Sequence, residues 1–483
     1  MMHLLKPPGV KVDSEVQGGI KMKYQQKQVN RSVFRAYDIR GIIGQELDEN
    51  SFYSIGLALA CYLRDLQRQQ IFLARDGRLT SFAMASALKQ GLLDSGIDVF
   101  DLGAVPTPVM YFAIHTQGID CGFMVTGSHN PANYNGIKMV LLGKTLMQED
   151  IDILYQLVLD GKRVVGQGKD MTFDILPKYE QRIKSDIKIK RSLKVVVDCG
   201  NGIAGPIVPQ MLRELGCDVI ALYCDVDGHF PNHHPDPTIE ANLADLKTAV
   251  AAHKADLGLA FDGDADRLGL ITNKGEMIWP DRLMMLYVRE LLTRLPGATV
   301  VFDVKCSSHL EAVIKEAGGV PKMCPTGHSI VKHVMKKEDA ALAGEMSGHL
   351  FFKDRWYGFD DALYSACRLL EIISASDMTV SEQFDAIPNS INTPELKIAI
   401  ADDEKFQFMK RFNEMAEFPQ ARVIAIDGLR VEFDKGWGLL RASNTTPCLV
   451  ARFEAEDKDN LEQIQQLFKK QMHLLDDTLE LPF

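Results

Sequence analysis

Three short apolar runs end in loops of similar layout, roughly a hundred residues apart. Ile71–Ala74 runs into Arg75-Asp76-Gly77-Arg78, Lys194–Val197 into Asp198-Cys199-Gly200-Asn201-Gly202, and Val300–Phe302 into Asp303-Val304-Lys305-Cys306-Ser307. A helical stretch follows each loop. Strand, loop and helix in that order build parallel or mixed sheets, so three related α/β units are expected. Past about residue 390 the texture changes to short strands at Val423–Ile426, Arg430–Phe433, Leu439–Arg441 and Leu449–Phe453, with a closing helix over Asn460–His473. The fold class is therefore α/β, with three similar mixed α/β domains and a smaller C-terminal α+β domain. The divisions fall at residues 29–173, 174–276, 277–388 and 389–483. Residues 1–28 mix Lys, Gln, Gly and Pro without periodicity and are expected to be a poorly ordered extension.

A chain of 483 residues exceeds one ordinary hydrophobic core, which agrees with several domains. No apolar run is long enough to span a membrane, and the N-terminus has no signal-peptide core. The nine cysteines include no Cys-x-x-Cys pair and suit reduced thiols in a cytoplasmic protein. The net charge of −11, with no basic stripe, argues against nucleic acid. A small anion remains possible where the local pocket is basic, because screening confines charge effects to about 8 Å.

Cys121–Val125 runs into Thr126-Gly127-Ser128-His129-Asn130-Pro131, and Lys138 follows shortly. Gly127 is expected to turn the chain sharply and leave the Ser128 hydroxyl projecting at a strand end. A serine so placed can carry a phosphoryl group when cations and donors such as His129 and Lys138 surround it. The same residues also suit a helix cap, with Asn130 as N-cap and Pro131 in the first turn.

Asp256–Phe261 and Leu268–Thr272 flank Asp262-Gly263-Asp264-Ala265-Asp266-Arg267. Carboxylates at alternate positions, separated by small residues, can converge on one hard cation of the Mg²⁺ or Ca²⁺ type. An EF-hand fails on spacing, since Arg267 stands where Gly is required and Asn273 where Glu is required. A solvated acidic turn is the other reading, at the cost of like-charge repulsion.

Gly344-Glu345-Met346-Ser347-Gly348-His349 places Glu345 and Ser347 two apart, on one side of an extended loop, where they can hold vicinal hydroxyls. Arg441-Ala442-Ser443-Asn444-Thr445-Thr446-Pro447 offers a guanidinium fork and polar side chains, an anion cradle. A capping loop and a polar hairpin turn are the respective alternatives. Arg35 and Arg40, around Tyr37, are further phosphate candidates, and Lys305 and His328 are acid/base candidates. His229, His233, His234 and Asp236 fit a structural loop better than a zinc site.

Taken in order from Phe34–Gly41 through Gly436-Trp437-Gly438 to Pro447, these motifs resemble the α-D-phosphohexomutase family, in its bacterial phosphomannomutase/phosphoglucomutase branch. The resemblance implies four domains around a central cleft. It implies a phosphoserine at Ser128 and a Mg²⁺ held by Asp262, Asp264, Asp266 and that phosphoserine. Glu345 and Ser347 would grip sugar hydroxyls, and Arg441, Ser443, Asn444 and Thr445 would bind the non-reacting phosphate. Tyr37 and His349 would also touch substrate, and Arg40, His129, Lys138, Arg267, Lys305 and His328 would line the reaction centre. The implied reaction converts hexose 1-phosphates of mannose and glucose to 6-phosphates through a hexose 1,6-bisphosphate. Met346 and Thr126-Gly127 resemble that branch more than relatives acting on glucosamine phosphate. A phosphoglucosamine mutase, a sugar phosphatase and a non-catalytic sugar-phosphate binder are the rival readings. The expected partners are small hexose phosphates, with no nucleic acid or membrane, and the chain is expected to be a monomer or weak dimer.

Overall fold

The structure is a computed structural model and describes residues 23–444 and 446–483. Most of the expected N-terminal extension, residues 1–22, therefore lies outside the described residues, as does Thr445. The end of that extension departs from the expectation of poor order. Tyr24 is buried with its ring 5.7 Å from that of Tyr53, and the Lys27 amide donates to Ser54 Oγ at 2.8 Å. The helix Glu49–Asp65 is apolar around most of its circumference, and Tyr24 covers part of it.

Each of the first three sheets repeats one strand order. In the first, Asp98–Ala104, Gln70–Arg75, Gly122–Val125 and Tyr134–Leu141 lie side by side. In the second the equivalents are Asp218–Leu222, Lys194–Asp198, Leu257–Phe261 and Leu268–Thr272. In the third they are Val320–Cys324, Thr299–Asp303, Leu342–Gly344 and Leu350–Phe352. The first three strands of each set run parallel and the fourth returns antiparallel. The central strands are continuous apolar runs, as Val195–Val197 is, because helices cover both faces of a parallel sheet. The polar segment between the third and fourth strands is thus a hairpin turn at the carboxyl end of a parallel strand, where open α/β sheets bind ligands. Those three turns hold Ser128, the three aspartates and Glu345.

The fourth unit is an antiparallel sheet in which Gly436–Ala442 pairs with Cys448–Ala455. Its first expected strand stops early, at Arg422–Ile424, because Asp427 and the left-handed Gly428 form a turn. Its closing helix begins at Lys458, with the Asp457 carboxylate accepting from the Asn460 amide at 2.8 Å.

One apolar cluster runs through the first three units. Phe112 packs at 5.4 Å from Tyr179 and 5.9 Å from Trp356, and Trp356 stacks on Tyr364 at 4.1 Å. The fourth unit has its own core around Phe412 and Phe468. It meets the third at Trp437, held between the guanidinium groups of Arg430 and Arg452 at 3.9 and 5.6 Å from the ring centre. Arg430 also donates to the carbonyls of Val304 and Cys306 at 2.7 and 2.6 Å. Among the described residues no helix is long and apolar enough to cross a membrane.

A buried hydroxyl ties the second unit to the third. Tyr179 Oη donates to the carboxylate of Asp361, 2.9 Å from each oxygen, and Trp356 Nε1 and the Tyr364 amide also donate to it. Tyr179→Phe leaves that buried carboxylate short of a donor and lowers stability by ~1–3 kcal/mol. Thermal unfolding followed by calorimetry measures the loss.

Candidate active site

Two residues outside the expected set hold the serine loop. Asp76 accepts from Thr126 Oγ1 at 2.7 Å and from the Gly127 amide at 3.2 Å. The Arg78 guanidinium donates to the carbonyls of Ser128, Asn130, Pro131 and Tyr134 at 2.5–3.1 Å. A buried guanidinium can satisfy four carbonyls that a tight turn would otherwise orphan. Gly127 is needed for this contact rather than for its conformation, since a Cβ there would lie 2.5 Å from Arg78 Cζ. The left-handed residue is Ser128 itself, at φ 50°. The turn leads into a strand, so the helix-cap alternative does not apply. The strained backbone at Ser128 belongs to a class found at functional sites.

Ser128 Oγ donates to Asp262 Oδ2 at 3.2 Å and lies 3.2 Å from His129 Nδ1. Gly263 makes this approach possible, because a Cβ there would sit 2.5 Å from the Ser128 carbonyl oxygen. Asp262, Asp264 and Asp266 are fully buried, and one oxygen from each falls within 4.8 Å of the others. Lys138 Nζ donates to Asp264 Oδ2 at 2.7 Å and to Asp266 Oδ2, and Thr107 Oγ1 donates to Asp264 at 2.5 Å. Burial alone would favour the neutral amine, but Asp264 and Asp266 hold the Lys138 ammonium charged. Burial likewise opposes ionisation of Asp264, and Lys138 overrides it and holds the carboxyl well below its usual range. Asp262 is pushed well up by burial and by its two acidic neighbours.

The oxygens Asp264 Oδ1 and Asp266 Oδ1 are buried with no hydrogen-bond partner. An all-oxygen set with unpartnered buried carboxylate oxygens fits a hard divalent cation. The expected metal residues converge, and the three aspartates are not among the residues that line the cavity.

That cavity has a volume of about 560 Å³ and is walled by all four units. Tyr37, Arg40, Ser128, His129 and Lys138 come from the first, and Arg267 from the second. Lys305, His328, Glu345, Ser347 and His349 come from the third, and Arg441, Ser443 and Asn444 from the fourth. Every expected wall residue among the described residues is therefore present. Arg35 is not on the wall and lies 3.6 Å from Asp402. Asp38, Trp279 and Lys397 line the cavity as well and were not singled out by sequence, and Asp236, read from sequence as part of a structural loop, lines it too.

Glu345 and Ser347 reach the cavity from a tight turn, not from the extended loop expected. The Gly348 amide donates to the Glu345 carbonyl at 3.0 Å, and Gly348 is left-handed. Glu345 Oε1 accepts from the Gly327 amide at 2.7 Å, while Oε2 is buried without a partner. Burial raises the Glu345 pKa. His328 packs edge-on at 4.9 Å from Tyr37 and is kept neutral, its pKa pushed well down by burial and by Lys332. Arg267 Nε donates to His349 Nε2 at 3.1 Å, which requires the proton on Nδ1, 3.1 Å from Asp360 Oδ2. Sequence reading passed over Asp360, which lies eleven residues downstream and carries no local motif.

Three of the cations on the wall, Arg40, Lys305 and Arg441, have acidic partners. Arg40 donates to Asp38 at 2.7 Å and to Asn130 at 2.6 Å, and Lys305 pairs with Glu395. Against burial, Glu395 and Asp303 keep Lys305 charged. Arg441 Nε donates to Asp427 at 2.9 Å, and its Nη2 is buried with no partner, an N–H group available to an anion. Ser443 Oγ and Thr446 Oγ1 are 2.7 Å apart, and Asn444 Nδ2 donates across to the Thr326 carbonyl at 3.4 Å. His229 and His233 bond to Asp227 and Asp198, the structural role expected of that loop.

Comparison with known proteins reproduces this four-part layout. Profiles described as phosphoglucomutase/phosphomannomutase α/β/α domains I, II and III match residues 31–163, 177–275 and 279–391. The C-terminal domain of the same description matches residues 395–471. The phosphomannomutase/phosphoglucomutase of Pseudomonas aeruginosa is 49% identical over 94% of this chain and 98% of its own. The phosphoglucomutase of Neisseria gonorrhoeae is 48% identical over 91% and 96%. A crystal structure of a phosphoglucomutase/phosphomannomutase family protein from Burkholderia thailandensis superposes with a TM-score of 0.89 at 45% identity, covering 94% of this chain and all of that one.

The buried charges make a direct test. Lys138→Met leaves Asp264 and Asp266 uncompensated and lowers stability by ~3–5 kcal/mol. A divalent cation recovers part of that loss, since it binds only the folded site. Thermal unfolding with added cation and with EDTA measures both effects. A variant as stable as wild type in EDTA would contradict the charge assignment.

Proposed function

The chain belongs to the phosphoglucomutase/phosphomannomutase family, and from that premise we propose that it moves a phosphoryl group between O1 and O6 of mannose and glucose through a phosphoserine at Ser128. The observation that carries this reading is the contact of Ser128 Oγ with Asp262, above a buried cluster of carboxylates, in a cavity walled by all four units.

The phosphorylated Ser128 gives its phosphoryl group to the free hydroxyl of a hexose 1-phosphate. Lys138 and Arg267 face the charge that develops on the transferring group, and positioning supplies most of the rate. Mg²⁺ is the cation this donor set suits, held by Asp262, Asp264, Asp266 and a phosphoserine oxygen, and it would neutralise phosphoryl charge there. Glu345 and Ser347 hold the sugar by hydroxyls common to mannose and glucose. Arg441, Ser443, Asn444 and Thr445 hold the phosphate that is not reacting. His328, on the cavity wall beside Tyr37, is placed as an acid/base candidate. The hexose 1,6-bisphosphate then reverses end for end, returns its other phosphoryl group to Ser128 and leaves as the 6-phosphate. The same bisphosphate activates dephosphorylated enzyme. A sugar grip from the third unit and a phosphate grip from the fourth, both away from Ser128, suit two substrate orientations.

Phosphorus NMR with Mg²⁺, a trace of hexose 1,6-bisphosphate and either mannose 1-phosphate or glucose 1-phosphate is expected to show the 6-phosphate growing in both samples. Inorganic phosphate instead would indicate a phosphatase, and turnover of glucosamine 1-phosphate alone would indicate the glucosamine mutase. Ser128→Ala is expected to lose at least about a thousandfold in kcat, the scale seen when a covalent catalyst is removed, while substrate Kd changes by only a few-fold. Isothermal titration and the coupled assay separate these effects.

A further inference from the structure

Behind the aspartate loop, two cysteines face each other outside the cavity. Cys199 follows the strand Lys194–Asp198, Cys224 follows its parallel neighbour Asp218–Leu222, and their Sγ atoms are 3.5 Å apart. Their backbones are close as well, because the Cys199 amide donates to the Leu222 carbonyl at 3.2 Å and the Asn201 amide to the Tyr223 carbonyl at 2.7 Å. Cys199 is buried and Cys224 is half-buried, with Cys224 Sγ also donating to the Leu222 carbonyl at 3.2 Å. Of the nine cysteines, all free thiols, most are buried singly in apolar packing.

We propose that Cys199 and Cys224 form a dithiol site that hydrogen peroxide oxidises to a disulfide. The Cys224 thiolate attacks the peroxide, the O–O bond breaks, and water leaves once hydroxide takes up a proton. Cys224 is then a sulfenic acid. The Cys199 sulfur attacks Cys224, an S–S bond forms, the S–O bond breaks, and the departing hydroxide takes the Cys199 proton to leave as a second water. Two sulfurs are oxidised by one equivalent of peroxide, which is reduced to two waters. The order follows from burial, since Cys224 is the less buried residue of the pair. Intracellular disulfides of this kind are typically transient and responsive to redox state.

The bridge would act on a loop that supports the carboxylates. The Gly202 amide donates to the Cys199 carbonyl at 2.7 Å, and the Ile203 amide donates to the Gly263 carbonyl at 3.1 Å.

The full-length protein treated with hydrogen peroxide, alkylated and digested without reductant tests the proposal by mass spectrometry. The expected product is a Cys199 peptide linked to a Cys224 peptide, two hydrogens lighter than their sum and separated by dithiothreitol. Cys224→Ser and Cys199→Ala should each abolish the linked species. Cys224 as a sulfinic acid with Cys199 still alkylated, or both cysteines still alkylated, would overturn it. Wild-type protein alone distinguishes these results, so a variant that folds poorly does not blunt the test.

Discussion

The ammonium of Lys138, set between Asp264 and Asp266, is the interaction on which the site depends. Three carboxylates lie fully buried within one short turn. Unpaired, each would cost several kcal/mol to desolvate, and their mutual repulsion would add to that. Lys138 offsets two of them, and the third carboxyl, Asp262, is pushed toward its neutral form. The orphaned oxygens that remain are what a divalent cation would satisfy. The same cluster thus limits stability without the ion and creates affinity for it.

That cluster is brought to Ser128 by a repeated piece of topology. In three successive units a parallel strand feeds a hairpin, and the turn of that hairpin carries the chemistry. Strand order puts all three turns at the carboxyl ends of their sheets, and the shared apolar cluster fixes the sheets relative to one another. Contact between the first two turns then needs only the missing side chain of Gly263. The fourth unit is joined differently, by two guanidinium groups around Trp437 and a few hydrogen bonds to the loop that carries Lys305. The proposed phosphate grip therefore sits on the unit least fused to the others.

Long-range partners govern the protonation of the wall. Arg267 donates to His349 Nε2, Asp360 Oδ2 lies 3.1 Å from His349 Nδ1, and Lys332 donates to Asp360 at 2.8 Å. None of these pairs is local in sequence. The same holds for Asp76 and Arg78, which organise a turn some fifty residues downstream.

The sequence by itself determined the fold class, the threefold repeat and most of the cavity wall. Apolar runs of strand length and the polar turns that end them are local properties, and Ser128, the three aspartates and Glu345 sit in such turns, with Arg441 at the end of a strand. It erred where conformation depends on a distant partner. Gly127 was read as the turning residue, but Arg78 requires its small size and Ser128 takes the left-handed backbone. The Glu345 loop closes into a turn whose carboxylate is bound by Gly327. Tyr24 is buried only because the helix Glu49–Asp65 presents an apolar flank to it. Which charges are paired, which oxygens are left without donors and which two of nine thiols meet were decided by tertiary structure alone, because burial and Coulomb energy depend on separation in space and not on separation along the chain.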